Sequence, residues 1–285
     1  MVRLVLSVAV ACAAEPPAPP AAAPVTATPV VPALPAPAAP VLATSGELAG
    51  SCEASALVRV GDRWIVGDNE AEALLFVYDA AWQPLPDEPL KPPVEDVEAL
   101  ALLDGRLVVV GSHSLNRKGK PRPDRHRILG LGPRPVELDA APFGAALDIE
   151  GAVAWRGQVW LGLRGPVRGG VTTLVRVSTG ADYGRIEQIV PIDLAGDGIR
   201  ELTPWGEALL VVSGPVADSG RPFALWSLAA PDAAPVRLAA TLPAGAEGAW
   251  VDGDRVVYVL DGKGEPGACE TPSRWGSERL TPGPG

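Results

Sequence analysis

Residues 148–155 read DIEGAVAW, and variants of this phrase return along the chain. In each copy a charged residue, which we call the anchor, follows a small or apolar residue. An apolar stretch, a short turn and a second apolar stretch come after it. The turns contain glycine, as in DGR at 104–106 and RGQ at 156–158. The charged anchors follow one another at intervals of 45, 52, 50 and 47 residues: Glu53, Glu98, Glu150, Arg200 and Glu247.

Each repeat has the pattern of a β-hairpin, because two apolar stretches flank a tight turn that contains glycine. Further strand-like text follows, such as TTLVRVS at 172–178 and FALWSL at 223–228. Three or four strands in 45–50 residues are typical of a β-propeller blade. The sequence therefore predicts an all-β fold, a β-propeller of about five blades. Six blades are the alternative, if one further copy is degenerate.

Ring closure is predicted to involve both ends of the domain. The fifth repeat has two clear strands, so we expect N- and C-terminal segments to complete that blade together. Three cysteines are present, and if Cys12 is lipidated or removed, Cys52 and Cys269 remain at the two domain ends. In an oxidising compartment this pair is expected to form a disulfide. Two free or separately buried thiols are the alternative.

Residues 1–12 have the layout of a secretory signal, with one basic residue, an apolar run and small residues. The apolar run is shorter than the roughly 20 residues that span a bilayer. Residues 9–12 resemble a bacterial lipoprotein cleavage box, which makes Cys12 the lipidation site; ordinary cleavage nearby is the alternative. We expect an exported monomer, periplasmic or attached to the outer membrane through an N-terminal lipid.

The remaining domain limits follow from composition. Residues 13–45 are almost entirely Ala, Pro, Val and Thr, which predicts a disordered, extended linker. The propeller is predicted over residues 46–275, and residues 276–285 are predicted to be a flexible tail. The net charge of −10 and pI near 4.8 argue against nucleic-acid binding, which needs many Lys and Arg.

Five short motifs resemble those of an exported bacterial family of unknown function, grouped loosely with phytase-like and esterase-like propellers: SHS at 112–114, DIEG at 148–151, GLRGPV at 162–167, GIREL at 198–202 and RPFALW at 221–226. The resemblance covers about residues 50–262 and implies a propeller without an activity to carry over. More distantly, "EG" at the start of an inner strand is similar to the senescence-marker/gluconolactonase propellers. Those hold a divalent cation with Glu, Asn and Asp, and this chain lacks an obvious matching Asn and Asp set.

The five anchors are expected to face one another, because the first strand of each blade lines the central channel. Four carboxylates alone would repel and raise one another's pKa. Arg200 would offset part of this charge, and a hard cation such as Ca²⁺ or Mg²⁺ would offset more. Asp148 lies two residues before Glu150 and shares its strand face. The predicted metal ligands are Glu53, Glu98, Asp148, Glu150 and Glu247.

Two other roles stay open for this ring. The carboxylates would instead accept backbone N–H groups of the next blade and hold the ring together, or two of them would form a catalytic acid–base pair. Neither role needs a cofactor.

A basic segment, GSHSLNRKGKPRPDRHRI at 111–128, contains both histidines of the chain. Arginine side chains bind phosphate or other anions in bidentate fashion, and His113 is the candidate catalytic acid or base. A solvated basic loop is the simpler interpretation. Arg164 follows the equivalent hairpin of the next repeat and is expected at the same rim. The predicted residues for an anionic or other small ligand are Arg200, Arg164, Arg125 and His113.

Several enzyme classes lack their motifs, since the sequence contains no Gly-x-Ser-x-Gly, Walker, paired CxxC or HExxH pattern. We predict a cell-envelope propeller that binds a small ligand or cation at its channel. The alternatives are a metal-dependent hydrolase of phosphate esters or lactones, and a protein-interaction scaffold. The first is favoured because no motif supplies a recognisable nucleophile or a complete metal set.

Overall fold

The computed structural model describes residues 44–69, 74–85, 90–116, 118–144, 146–217, 219–265 and 268–280. The predicted signal peptide, the lipidation site Cys12 and nearly all of the predicted linker lie outside these residues. Within the described ranges the chain is almost entirely strand and turn, with one 3₁₀ turn at Ala141–Phe143. The all-β prediction is confirmed.

The strands form five antiparallel blades. Blade 1 contains β2 (Ala54–Val60), β3 (Arg63–Asp68) and β4 (Leu74–Tyr78), and blade 2 contains β5 (Val97–Leu103), β6 (Arg106–Gly111) and β7 (Ile128–Leu129). Blade 3 contains β8 (Asp148–Trp155), β9 (Gln158–Gly165), β10 (Val171–Val177) and β11 (Ile186–Asp193), and blade 4 contains β12 (Gly198–Trp205), β13 (Ala208–Gly214), β14 (Phe223–Leu228) and β15 (Val236–Leu242). Blade 5 contains β16 (Ala246–Asp252), β17 (Arg255–Leu260), β20 (Arg274–Arg279) and β1 (Ser45–Glu47). A separate hairpin, β18 (Lys263–Glu265) and β19 (Ala268–Thr271), connects β17 to β20.

The blades close into a ring around their inner strands. Strands β2, β5, β8, β12 and β16 each contact the next in this order, and β16 contacts β2. Every inner strand lies at one edge of its sheet. This is the arrangement of a five-bladed propeller, which confirms the predicted blade count.

Apolar faces of neighbouring blades pack together and supply the core. Between blades 3 and 4, Trp160 and Leu174 join Ile199, Leu202 and Val211 in one buried cluster. Close packing here requires glycine on the facing strand, since a Cβ on residue 162 would lie 2.4 Å from Cγ2 of Ile199. Burial of these side chains is the main favourable contribution to folding.

Both chain ends complete blade 5, as predicted. Strand β1 pairs antiparallel with β20 from Ser45↔Gly276 to Glu47↔Arg274. The Cys52–Cys269 disulfide is present, which confirms the predicted pairing. Strand β20 continues to Arg279, so the sheet extends four residues into the segment predicted to be a flexible tail.

Candidate functional site

Each inner strand carries a β-bulge at the same place near its start. One residue of the inner strand is skipped in the pairing with the second strand of the blade, so it has no direct partner there. A bulge bends the strand and redirects its side chain, and bulges often occur beside functional sites. The bulged residues are Ser55, Glu98, Glu150, Arg200 and Glu247.

The bulges correct one anchor of the predicted ring. The equivalent of Glu98 in blade 1 is Ser55, because Ala54 pairs with Asp68 and Ala56 with Gly67. Ser55 is buried, and its hydroxyl donates to the backbone carbonyl of Val97 in the next blade, with the carbonyl oxygen of Gly67 at 3.3 Å. Glu53 lies two residues earlier, at the position of Asp148 in blade 3. Glu53 was therefore wrongly predicted as the first anchor, and Ser55 occupies that position.

Arg200 lies at the centre of an ion-paired cluster at the end of the channel where the inner strands begin, which we call the mouth. Its Nη1 lies 3.1 Å from Oε2 of Glu150 and 3.3 Å from Oε2 of Glu247. Its Nη2 donates to the carbonyl oxygen of Pro215 at 2.7 Å. The side chains of Arg200 and Glu150 are 2% and 4% exposed. The arginine therefore joins three blades, through the buried Glu150 and the partly exposed Glu247.

A second arginine reaches the same carboxylate from the second strand of blade 3. Nη1 of Arg164 donates to Oε1 of Glu150 at 2.6 Å, and Nε lies 3.8 Å from Asp148. The Arg164 guanidinium also donates to the carbonyl oxygen of Val216. Glu150 is thus held between the two arginines that the sequence predicted at one rim.

Glu98 enters the mouth from blade 2. Its Oε1 accepts a hydrogen bond of 3.0 Å from Nδ2 of Asn69, a residue of blade 1. Burial raises the pKa of Glu98 well above its usual value, and the charges of Asp96, Glu150 and Glu247 raise it further. These electrostatic effects place the Glu98 carboxyl within the same cluster and favour its protonated form.

Burial also dominates the titration of the two acidic residues of blade 3. It raises the pKa of Glu150 to about 8; Arg200 and Arg164 act in the opposite direction, and Glu247 adds to the rise. Burial likewise raises the pKa of Asp148, against the lowering by both arginines. The mouth therefore contains guanidinium groups together with carboxyl groups whose pKa values are raised.

Arg125 pairs with an acidic residue beside the mouth. Its Nη1 lies 3.1 Å from Oδ2 of Asp96, which also accepts hydrogen bonds from the hydroxyls of Ser112 and Ser114. Of the predicted small-ligand residues, the structure joins Arg164 and Arg200 through Glu150. Arg125 forms an ion pair with Asp96. The negative charge of Asp96 raises the pKa of Glu98 and of Asp148.

His113 differs from the other predicted residues, because both of its ring nitrogens are engaged. Nδ1 donates to the carbonyl oxygen of Gly111 at 2.9 Å, and Nε2 accepts the N–H of Leu138 at 3.2 Å. The side chain is buried, which lowers the pKa of His113 to about 4. The ring therefore links the backbone of Gly111 to that of Leu138. Neither ring nitrogen is available for the predicted catalytic role.

Glu201, a fully buried carboxyl next to Arg200, was not among the predicted site residues. The N–H of Leu202 donates to its Oε1 at 2.8 Å, and N–H groups of Ala152 and Ala249 in the two flanking blades favour its ionised form. Burial outweighs them and raises the pKa of Glu201 well above its usual value. The equivalent residues of the other blades are small, and this contrast was readable in the repeats: Ala56, Ala99, Gly151 and Gly248.

Metal coordination was the other predicted role of the acidic ring. Among the described residues, no three His, Cys, Asp or Glu side chains are arranged to hold a metal ion. Glu150 and Glu247 instead face guanidinium groups. The Ca²⁺ or Mg²⁺ site stays a prediction, with Glu53 at a different strand position from the other glutamates. In the part of the chain that the structure covers, no helix has the length and hydropathy of a membrane span.

Comparison with known proteins supports the fold. Residues 143–234, less than half of the chain, match a family described as "Protein of unknown function (DUF3616)". The matched segment contains blade 3 and most of blade 4, including Glu150, Arg164 and Arg200. The comparison with curated proteins gives no match.

Several solved structures are similar over most of the chain. An exo-β-1,3-galactanase from Phanerochaete chrysosporium aligns at a TM-score of 0.52 and 9% identity, covering 84% of this chain and 64% of its own. The RS223 β-xylosidase aligns at a TM-score of 0.54 and 10% identity, covering 84% and 96%. An exo-β-1,3-galactanase from Clostridium thermocellum aligns at 0.52 and 8%, covering 84% and 63%. The chain thus spans just under two thirds of either galactanase, and at this identity the likeness shows the propeller fold alone.

Proposed function

We propose that the mouth binds a small, uncharged, polyhydroxylated ligand such as a sugar. The observation that carries this proposal is that the mouth arginines already face carboxyl groups. Arg200 lies between Glu150 and Glu247, and Arg164 lies against Glu150. Arg125 lies on Asp96.

The pairing disfavours the two charged ligand classes. An anion that approached Arg200 or Arg164 would compete with the carboxyl groups that already accept hydrogen bonds from their guanidinium groups. A divalent cation that approached Glu150 would meet both guanidinium groups. The mouth therefore lacks a concentrated charge of either sign.

Hydroxyl groups suit this arrangement, because each can donate one hydrogen bond and accept others. A ligand hydroxyl can donate to a carboxylate oxygen and accept from a guanidinium N–H or from a protonated carboxyl. Burial and nearby charges raise the pKa of Glu98, which favours the protonated carboxyl that such a contact needs. The similar galactanase from P. chrysosporium was determined with β-1,3-galactotriose, but at 9% identity the ligand class proposed here rests on the side chains.

The disulfide supports the cell-envelope part of the proposal. Disulfides persist in oxidising compartments and are rare in reducing ones, and Cys52–Cys269 is formed. We therefore retain the expectation of an exported protein. Globomycin sensitivity of its processing would distinguish lipidation at Cys12 from plain secretion.

Isothermal titration calorimetry of the full chain tests the proposal. Galactose, xylose and an oligosaccharide series are the neutral probes, with inorganic phosphate, acetate and CaCl₂ as charged probes. We expect saturable binding of at least one neutral probe and its loss in Glu247→Gln. Glu207→Gln, an exposed turn residue of blade 4, is the matched control. Binding of phosphate or Ca²⁺ with no neutral probe bound would overturn the proposal.

Acid-catalysed hydrolysis is the second candidate function. It is favoured by Glu98, whose pKa is raised by burial and by the charges of Asp96, Glu150 and Glu247. A protonated carboxyl near a second carboxyl group is the pair that hydrolysis of glycosides or esters needs. Turnover of p-nitrophenyl glycosides that Glu98→Gln abolishes and Glu207→Gln leaves intact would establish it. Absence of turnover in the parent protein would reject it while leaving binding unaffected.

A further inference from the structure

A pocket of about 710 Å³ lies at the connection between blades 2 and 3, separate from the ion-paired cluster of the mouth. Its apolar lining includes Leu115, Leu138 and Leu147. The rings of His113 and His126 also line it and stack with centroids 5.5 Å apart and an interplanar angle of 9°. We call this cavity the histidine pocket.

His126 presents its ring differently from His113. Its Nδ1 lies 3.0 Å from Oε1 of Glu137, so the carboxylate accepts the Nδ1 proton. That tautomer leaves Nε2 as an acceptor, and this buried nitrogen has no hydrogen-bond partner among the described residues. A buried acceptor without a partner is costly and uncommon. His126 therefore contributes its ring to the histidine pocket, while its Nδ1 proton is held by Glu137.

The charged groups of the histidine pocket are acidic. Glu137 and Asp139 line it, and its described lining contains neither Lys nor Arg. The Glu137 side chain is 66% exposed and stays available to a ligand. One carboxylate oxygen of Asp139 accepts a hydrogen bond from the N–H of Ala141. The carboxylate can accept further hydrogen bonds from a ligand. The pocket thus combines apolar walls with negative charge, the reverse of the arginine-rich mouth.

We propose that the histidine pocket binds an organic ammonium ion with an apolar body. The ammonium N–H groups donate to Glu137 and Asp139, and the apolar part packs on the leucines and the stacked imidazole rings. This site is independent of the polyhydroxylated ligand proposed for the mouth.

Calorimetric titration of the full chain with 2-phenylethylammonium, 2-phenylethanol and phenylacetate tests the charge requirement. The three probes share an aromatic body and differ at the polar end. We expect saturable binding of the ammonium, weaker binding of the alcohol and none of the carboxylate. Glu137→Gln and Asp139→Asn should each weaken ammonium binding about two- to five-fold, the range of an exposed ion pair.

Two controls locate the site. Glu207→Gln removes an exposed carboxylate elsewhere and should leave the affinity for the ammonium unchanged, and Glu247→Gln should do the same because it alters the mouth. Thermal melts of each variant report whether it is folded. The proposal is overturned if the ammonium gives no saturable binding at millimolar concentration, if the alcohol binds equally well, or if Glu247→Gln rather than Glu137→Gln removes binding.

Discussion

Arg200 is the residue on which the mouth depends most. It stands where three other blades carry glutamate, and its side chain is almost fully buried. Removing one partner of a buried ion pair leaves an uncompensated charge, which costs more than the pair itself contributes. The exception in the repeat is therefore also its electrostatic centre.

Replacing Arg200 with methionine is expected to lower the free energy of unfolding by about 1–3 kcal/mol, because the buried Glu150 carboxyl loses one of its two guanidinium partners and keeps Arg164. Urea denaturation at pH 7 measures the change. Adding Glu150→Gln to this variant should recover part of the loss, since a glutamine side chain cannot ionise and needs no positive partner. Arg237→Met, which removes an exposed arginine that covers Trp226, is the control. Equal losses in the two single variants would contradict the expectation.

Glu201 should make stability depend on pH. Its pKa is raised in the folded protein, so between the unfolded value near 4.3 and the folded value the native state binds more protons than the unfolded one. Stability therefore falls as pH rises through this window, by up to about 1.4 kcal/mol per pH unit and group. Glu98 and Glu150 act in the same direction.

Glu201→Gln should remove one such contribution, because glutamine cannot ionise. The stability of this variant relative to the parent is expected to increase from pH 5 to pH 8, measured by urea denaturation across this range. The exposed Glu207→Gln should follow the parent curve. Parallel curves for Glu201→Gln and the parent would show that Glu201 titrates alike in both states.

Among the elements, the inner strands could be predicted from the sequence, whereas the bulges within them could not. The spacing of the hairpins predicted the blades, because strand, turn and strand leave a clear local pattern. The first anchor was misplaced by two residues, since bulges leave no such pattern and an acidic Glu53 lay nearby. The partner Arg164 lies on the second strand of the same hairpin as Glu150, whereas Arg200 belongs to the next blade, so no local signal reports the distance between Glu150 and Arg200. The acidic rim of the histidine pocket lies in an irregular connection and was missed for the same reason.

In blades 3 and 5 the residue after the bulge is a glycine, and it is expected to tolerate little added volume. A Cβ at Gly248 would lie 2.6 Å from the backbone nitrogen of Leu57, so blades 5 and 1 would have to separate. We expect Gly248→Ala to lower the free energy of unfolding by about 1–3 kcal/mol, as overpacking does. Gly180→Ala, where the added Cβ meets nothing within 4 Å, is the control. A melting temperature unchanged in both variants would show that the blades can shift freely.

For the whole molecule, closure combines pairing, covalent linkage and aromatic packing. Strand β1 completes the sheet of β20, and Cys52–Cys269 joins residues 217 positions apart. Trp82 stacks between Trp64 of blade 1 and Trp275 of β20, with both centroid distances 4.8 Å. The sequence predicted the disulfide from the positions of the cysteines, whereas the tryptophan stack carried no signal beyond its apolar surroundings.

Loss of the disulfide should destabilise the ring markedly. A cross-link across so long a loop restricts the unfolded chain, which corresponds to about 5 kcal/mol in the chain-entropy description. We expect Cys52→Ser/Cys269→Ser to unfold at lower urea concentration, and a reductant to lower the parent's transition to the same midpoint. A reductant that shifts the double variant as well would indicate a different cause.

The pairing of β1 with β20 also determines when the ring can close during synthesis of the chain. The first described strand to be synthesised finds its partner only when residues 274–279 have emerged. Until then blade 5 lacks its third and fourth strands and leaves the edge of β17 unpaired, and such edges are prone to aggregation. Contacts of this sequence separation form slowly. The last step of folding is therefore delayed until residues 274–279 have been released.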